Sequence, residues 1–384
     1  MILRYTILSL ALSSLAIPAA AQTSKVVSLG AEYVVDVLGV AHGGNRRGAR
    51  VLDDLDLTLD MDLDRGWGWK GVTAHVDVLR NHGGRPNDLA GSIQGIDNIE
   101  VNQRGVRLYE AWIEHQAGAA SLRFGLYDLN SDFYANDAAS LFVASPFGMG
   151  SELSASGPNG PSTFPSTALA ARVKVSSASY YLQGAVINAE AGTIGDTRGI
   201  DVSGRAGLLV IAEMGYATTS KVAVGAWRYT KKQPVFAARS DPGLERVSQG
   251  IYALVEHSII GSDTTFRLTP FLRAGVSDGV TTPFQGGWQA GLRFDRLIPS
   301  RPDASFAVGV ASGRLTDEYR HNASVDDVAL LSAETIIEAT LSDEVAPGIT
   351  LQPDVQYVIN PDGNSRARDP IVIGLRCSIA IGSK

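Results

Sequence analysis

The segment DLDLTLDMDLD, residues 54–64, alternates between apolar and polar side chains. Its odd positions carry only apolar residues, namely Leu55, Leu57, Leu59, Met61 and Leu63. Its even positions carry five aspartates and Thr58. Successive side chains of a β-strand point to opposite faces of the sheet. The segment therefore predicts a strand with one apolar and one anionic face, each needing a different environment.

The same kind of segment recurs along the chain. Stretches of about 8–12 residues that alternate, or that are rich in β-branched and aromatic residues, predict strands. Sixteen such stretches are found, at 29–40, 52–63, 70–80, 106–115, 120–127, 167–176, 179–188, 206–214, 221–230, 248–257, 264–274, 286–295, 303–312, 333–341, 349–358 and 371–380.

The connections between these segments alternate in length. The odd-numbered connections have at least eleven residues and the even-numbered ones at most seven. Outer-membrane barrels have long extracellular loops, short periplasmic turns and an even number of strands. We therefore predict an all-β fold, a 16-stranded antiparallel transmembrane β-barrel. The apolar residues of each strand would face lipid, and the polar residues that alternate with them would face a water-filled lumen.

The N-terminus and the composition fit an exported membrane protein. Residues 1–21, MILRYTILSLALSSLAIPAAA, read as a signal peptide, which leaves 22–384 as the barrel domain. Cys377 is the only cysteine, so no intrachain disulfide can form. The net charge of −7 argues against a nucleic-acid partner. The expected location is the outer membrane of a Gram-negative cell, with its lipid and the barrel-assembly machinery as partners.

Strand parity also assigns side chains to the lumen. Inward acids cluster on the second to fourth segments and inward bases on the fifth, sixth and eleventh, which predicts an electric field across the pore. Tyr109 is predicted to face lipid. Trp112 and Trp227 face inward, where each could stack on a sugar ring or fill space against an inserted loop. The candidate pore-lining residues are Glu110, Trp112, Arg123, Arg172, Trp227, Arg273, Glu334 and Gln356.

The longest connection, 128–166, has structure-forming motifs of its own. It contains NSDFYANDAASLF, SPFG and GPNGPSTFP, in which proline and glycine predict turns around a short helix. Long loops with internal structure are usually functional. We expect this loop to fold into the barrel and constrict it, although an external lid is the alternative.

Several motifs resemble the carbohydrate-selective porin family, OprB. They are HGGNRRG (42–48), DLDRGWGWKGVTAHVDV (62–78), RLYEAWIEH (107–115), FGLYDLNSDFYANDAASLFVASPFG (124–148) and LQPDVQYVINPDG (351–363). The resemblance extends from about Tyr33 to Arg376 and implies passive diffusion of small carbohydrates, such as glucose. The chain departs from the usual pattern at its end, RCSIAIGSK, which lacks the terminal aromatic that the assembly machinery reads.

Other functions are less well supported by the sequence. The chain has neither a GxSxG nor an HExxH pattern, so no enzyme is predicted. Neighbouring inward aspartates of one strand are about 7 Å apart, too far to converge on a cation, so no metal or other cofactor is expected. A general diffusion porin without sugar preference and a secreted soluble β-protein that binds sugar remain the alternatives.

Overall fold

The computed structural model describes residues 25–382, except 197, 237–242, 262–264 and 326–328. The predicted signal peptide lies outside the described residues. Each of the sixteen strands pairs antiparallel with its neighbours in sequence, and β1 pairs with β16 to close the barrel. The strands are β1 Val27–His42, β2 Gly48–Asp62, β3 Val72–Gly83, β4 Gly105–Ala117, β5 Ala120–Tyr127, β6 Ala168–Ser176, β7 Tyr180–Asn188, β8 Leu208–Ala217, β9 Ser220–Pro234, β10 Glu245–His257, β11 Arg267–Ser277, β12 Phe284–Asp295, β13 Ser305–Leu315, β14 Ala333–Ala346, β15 Ile349–Ile359 and β16 Ile371–Gly382.

The alternating segment of residues 54–64 lies in β2, as its pattern predicts. The aspartates at 54, 56 and 60 point to the interior beside the inner residues of β3, whereas Leu57 is 48% exposed on the outside. The alternation ends at Asp62, because Leu63–Trp67 forms a short helix, α1. The side chain of Asp62 accepts a hydrogen bond from the backbone N–H of Arg65 and so caps α1.

The outer surface of the barrel is apolar. Large aliphatic and aromatic side chains are exposed around its circumference, including Phe124 on β5 (58%) and Ile251 on β10 (59%). A soluble β-protein would bury these side chains, whereas lipid favours them. The described part of the chain has no helix that is both long enough and apolar enough to span a membrane.

The longest connections lie at one end of the barrel, as predicted, but the predicted strict alternation of long and short connections is wrong. At the long-loop end, 43–47 and 278–283 are shorter than predicted because the strands that flank them extend further. At the opposite end, 63–71 is longer than predicted because it contains α1. The remaining helices lie in long-loop connections: α2 Asn87–Ala90, α3 Ser151–Ser154 and α4 Asp317–Val325.

A β-bulge in β4 changes the direction of one predicted lipid-facing residue. Asp77 of β3 pairs with Glu110, but Val78 pairs with Leu108, so Tyr109 is the extra residue. Its hydroxyl donates to Asp128 Oδ2 at 2.6 Å. The prediction that Tyr109 faces lipid is therefore wrong, because strict alternation breaks at a bulge.

Candidate functional site

The long loop, 128–167, lies inside the barrel. Carboxylates on four separate strands accept hydrogen bonds from its backbone N–H groups. The bonds run from Asp128 to Glu110 (3.0 Å), from Tyr134 to Glu213 (3.0 Å), from Ala138 to Glu256 (2.9 Å) and from Val143 and Ala144 to Glu338 (2.6 and 3.0 Å). Because hydrogen bonds to charged groups are stronger than neutral ones, these carboxylates hold the loop along its length.

Arg273 holds the same loop from β11. Its guanidinium donates to four backbone carbonyl oxygens, those of Tyr134 (3.1 Å), Pro146 (3.2 Å), Phe147 (2.6 Å) and Gly148 (3.0 Å). The side chain is buried, and the guanidinium carbon lies 5.5 Å from the centre of the Tyr134 ring. Arg273 faces inward as predicted, but its contacts are with the loop.

Glycines on the inner wall allow the long loop to pack closely. A Cβ atom at Gly275 would lie 1.9 Å from Glu152 Oε1 on α3, and one at Gly309 would lie 2.7 Å from the ring of Phe142. The rings of Phe142 and Phe147 stack with centroids 4.0 Å apart. These glycines therefore remove the side chains that would otherwise occupy the space of the loop.

A second connection, 84–104, also folds inward, which the sequence did not predict. Glu334 of β14 accepts from the backbone N–H groups of Ile93 (2.9 Å) and Gln94 (3.0 Å). Gln356 of β15 donates to the carbonyl oxygen of Ile96 at 2.9 Å. Glu334 and Gln356 face inward as predicted, but both are buried under this loop.

Arg172 and Arg123 belong to an ion-pair network at the start of the long loop. Arg172 contacts Glu114 and Asp132, each at 3.1 Å, and Arg123 contacts Glu114 at 2.7 Å and Asp132 at 3.5 Å. Burial opposes ionisation of Asp132, but the Tyr127 hydrogen bond and the two arginines hold its pKa below the usual value. Asp132 is therefore an ionised anchor of the loop.

The two inward tryptophans have different environments. Trp227 is 2% exposed and packs in an apolar cluster with Leu153 and Tyr134 of the long loop, which supports the space-filling alternative for this residue. Trp112 remains partly exposed. Its Nε1 donates to Glu110, the His75 ring stacks on it at 5.1 Å, and the Arg123 guanidinium lies 4.0 Å from its centroid.

In the middle of the barrel the accessible part of the inner wall lies on β1–β5, whereas Lys174, Arg267 and Arg293 are partly exposed nearer the short-turn end. In the middle of β6–β15 the inward side chains are buried beneath the two loops, as Ile211, Trp227, Arg273 and Glu338 illustrate. On β1–β5, towards the short-turn end, inward side chains remain partly or fully exposed. They are Glu32, Val34, Asp56, Thr58, Asp60, His75, Trp112, Glu114 and Arg123. We call this set the open wall.

The structure separates the eight candidate residues into two groups. Trp112 and Arg123 belong to the open wall, and Glu110 lies next to Trp112 but is buried. The other five, Arg172, Trp227, Arg273, Glu334 and Gln356, are each at most 2% exposed and contact loop or wall groups. Sequence reasoning missed Glu213 and Glu256. Their signal is an inward acid on an otherwise apolar face, because Ile211, Ala223 and Leu254 surround them on the inner wall.

A cavity of about 660 Å³ lies towards the short-turn end. Its lining combines acids and bases, including Asp132, Lys174, Lys221, Arg293 and Asp295. Within the described ranges, no cluster of three or more histidine, cysteine or acidic side chains has the geometry of a metal site.

A closed sixteen-stranded barrel with an apolar exterior and a long loop folded into its interior has the architecture of a porin. The chain belongs to the carbohydrate-selective porin, OprB family, whose profile matches residues 46–380. Membership of this family implies an outer-membrane channel with sugar substrates.

The solved structures agree on the fold. The high-pH structure of Pseudomonas putida OprB matches with a TM-score of 0.83 at 19% identity, covering 92% of this chain and 94% of that one. The low-pH structure of the same protein gives 0.60 at 18% identity, covering 92% of each chain. The outer membrane channel DcaP of Acinetobacter baumannii gives 0.56 at 10% identity, covering 92% and 97%. No curated protein sequence matches this chain.

Proposed function

We propose that this protein mediates passive diffusion of small carbohydrates, monosaccharides such as glucose, across the outer membrane. Residues 1–21 direct export, and the assembly machinery inserts 22–384 into the lipid bilayer. Membership of the carbohydrate-selective family is the observation that carries the proposal. The open wall supports it because carboxylate, imidazole and guanidinium groups there can exchange hydrogen bonds with sugar hydroxyls.

Of the candidate residues, the proposed solute contacts are Trp112 and Arg123, and Glu110 positions Trp112 beside them. Arg123 supplies donors, and the part of the Trp112 ring that His75 and Arg123 leave exposed adds an apolar surface. Glu110 accepts from Trp112 Nε1 and from the backbone N–H of Asp128, so it holds the ring in place. Binding must stay weak, because conduction requires release as well as entry. The other five candidate residues act indirectly in this proposal, since they hold the loops that determine the width of the passage.

Liposome swelling tests this proposal against general diffusion. Purified protein is reconstituted, and entry rates are compared for glucose, a larger oligosaccharide and an amino acid. We expect glucose to enter faster than its size alone predicts. Entry of all solutes in order of size alone would refute carbohydrate selectivity.

A pair of variants connects selectivity to the site. Arg123→Ala should lower the glucose rate several-fold while the barrel remains folded. Arg301→Ala is the matched control, because Arg301 lies in the connection 296–304 and pairs with Asp343 of β14. Equal glucose rates for both variants and the wild type would remove Arg123 from the proposed contacts.

A further inference from the structure

A groove of about 1200 Å³ crosses the outer surface of the barrel on β7–β14. Small outward residues line it, and large exposed ones such as Met214, Ile251 and Trp288 stand beside them. The strand register aligns these side chains in two neighbouring rows that run across the strands. We define the outer groove by its small residues, Ala212, Ala226, Ala253, Ala274, Gly286 and Ser312.

The outer groove rises obliquely towards the long-loop end of the barrel. Its lining includes Leu182 near the short-turn end of β7 and reaches Arg314 near the long-loop end of β13. Strands of membrane barrels are tilted by about 35–45°, so a row that crosses them changes its depth in the bilayer. Because long loops face the cell exterior in such barrels, the upper end of the groove lies in the outer leaflet.

Two arginines lie at this upper end and along the edge of the groove. Arg314 is exposed in the lining, and no hydrogen bond or ion pair joins its guanidinium to another described residue. Arg228 is exposed on β9 and donates to Gln249 at 2.8 Å. Asp278 also lies at this edge, but it accepts from Thr281 Oγ1 at 2.7 Å and from backbone N–H groups of its own turn. Both guanidiniums can therefore receive an anion, and arginine binds phosphate through two parallel hydrogen bonds.

Uncharged polar side chains accompany the two arginines. Gln249 is paired in register with Arg228, and Gln285 and Ser332 line the groove together with Arg314. Amide and hydroxyl groups exchange hydrogen bonds with sugar hydroxyls. From its lower to its upper end, the groove thus presents an apolar floor, then cations with polar side chains. A phosphorylated glycolipid has the complementary order, from acyl chains to phosphates and sugars.

From this complementarity we propose that the outer groove binds a phosphorylated glycolipid of the outer leaflet. An acyl chain lies against the small residues, where it supplies the dispersion contacts that larger side chains would otherwise make. A phosphate pairs with Arg314, as anionic headgroups do with basic sites on other membrane proteins. The proposal concerns the lipid-facing side of the wall, so it does not depend on which solute crosses the pore.

Lipid titration in detergent tests the proposal. Native mass spectrometry counts the lipids retained by the purified, delipidated protein. The probes are bisphosphorylated lipid A, the same lipid A without its phosphates, and phosphatidylglycerol. We expect one lipid A per barrel, bound at least about tenfold more tightly than either of the other two lipids. Equal binding of the dephosphorylated lipid A, or equal or tighter binding of phosphatidylglycerol, would overturn the proposal.

Two variants locate the lipid on the outer groove. Arg314→Gln removes the cation, and the double variant Ala253→Leu, Ala274→Leu fills the floor. These side chains point away from the interior of the barrel, and leucine is favourable on a lipid-facing surface, so both variants should fold. Each should weaken lipid A binding at least about fivefold. Wild-type affinity in both variants would contradict the assignment of the site.

Matched controls change similar residues elsewhere on the outer surface. Arg80→Gln removes an exposed arginine near the long-loop end of β3 that already pairs with Asp53 at 3.0 Å. Ala339→Leu enlarges an alanine of β14 that is paired with the exposed Val355. Both should bind lipid A like the wild type, and losses equal to those of the groove variants would show a general surface effect and refute the site.

Light scattering of the same samples tests the other occupant of such a face, a second copy of this chain. We expect a monomeric barrel whose mass is unchanged by Ala253→Leu, Ala274→Leu. A dimer that this double variant dissociates would assign the groove to contact between barrels and overturn the lipid proposal.

Discussion

Replacing Arg273 with lysine should release the long loop without removing a positive charge. Arg273 donates to four loop carbonyl groups, and hydrogen bonds to charged groups contribute about 1.5–3 kcal/mol each. A lysine ammonium has three donors on a single nitrogen and cannot reach all four acceptors. If two bonds are lost, docking of the loop weakens by about 3–6 kcal/mol, which raises the undocked population at least about hundredfold.

Two measurements report on this release. The long loop, 128–167, contains phenylalanine, tyrosine and leucine but neither lysine nor arginine, so chymotrypsin can cut it when it undocks and trypsin cannot. We expect Arg273→Lys to be cut faster by chymotrypsin only. Single-channel recordings should show additional openings of larger conductance, because the undocked loop no longer occupies the lumen.

The matched control is Arg267→Lys. Arg267 lies on the same strand and faces the same interior, but it contacts Asp295 of β12 at 2.9 Å. This variant should behave like the wild type in both measurements. Equal chymotrypsin cleavage and equal conductance in Arg273→Lys and Arg267→Lys would refute the assignment of Arg273 as a loop anchor.

Three further changes have defined outcomes. Arg123→Ala should alter single-channel conductance and ion preference, and unchanged values would place this side chain away from the constriction. Arg172→Ala should lower the thermal stability of the barrel more than Arg123→Ala, because the Arg172 side chain is 2% exposed and the Arg123 side chain 15%. Heat-dependent gel mobility compares the stability of the two variants, and a less stable Arg123→Ala would contradict the prediction. Burial raises the pKa of Glu152 to about 7, so the docked loop retains a proton that the undocked loop loses near the ordinary value of 4.5, and docking weakens as the pH rises between these values. Glu152→Gln should therefore be cut by chymotrypsin more slowly than the wild type at about pH 8, and equal rates at this pH would contradict the argument.

The strand pattern was predictable because the two faces of the barrel wall have different environments. Lipid on one side and polar groups on the other impose a period of two, which β2 shows along most of its length. That period identified all sixteen strands, with boundaries that shift by a few residues. The period of two gave the wrong direction for Tyr109, because a β-bulge inserts one extra residue there and the side chains around it carry no sign of the insertion in the sequence.

The candidate site was less predictable, for a different reason. Glu334, Gln356 and Arg273 were correctly assigned to the interior, but a side chain that hydrogen-bonds to water has the same sequence signature as one that hydrogen-bonds to loop backbone. The partners of these residues are main-chain groups of 84–104 and 128–167, which any amino acid supplies. The alternation along a strand therefore predicts whether a side chain faces lipid or the interior, but it does not predict which loop covers that side chain.

The composition of the long loop connects its anchoring to the charge of the pore. Glu256 and Glu338 are buried beneath it, yet the loop carries neither lysine nor arginine. Its backbone amides satisfy these carboxylates without bringing a cation, so the loop itself contributes no positive charge to the interior. Arg273, from β11, is directed at loop carbonyl groups and does not pair with either glutamate. Loop docking therefore adds no cation to the interior, and the positive charge beside the loop comes from strand residues such as Arg123 and Arg172, which pair with Glu114 and Asp132.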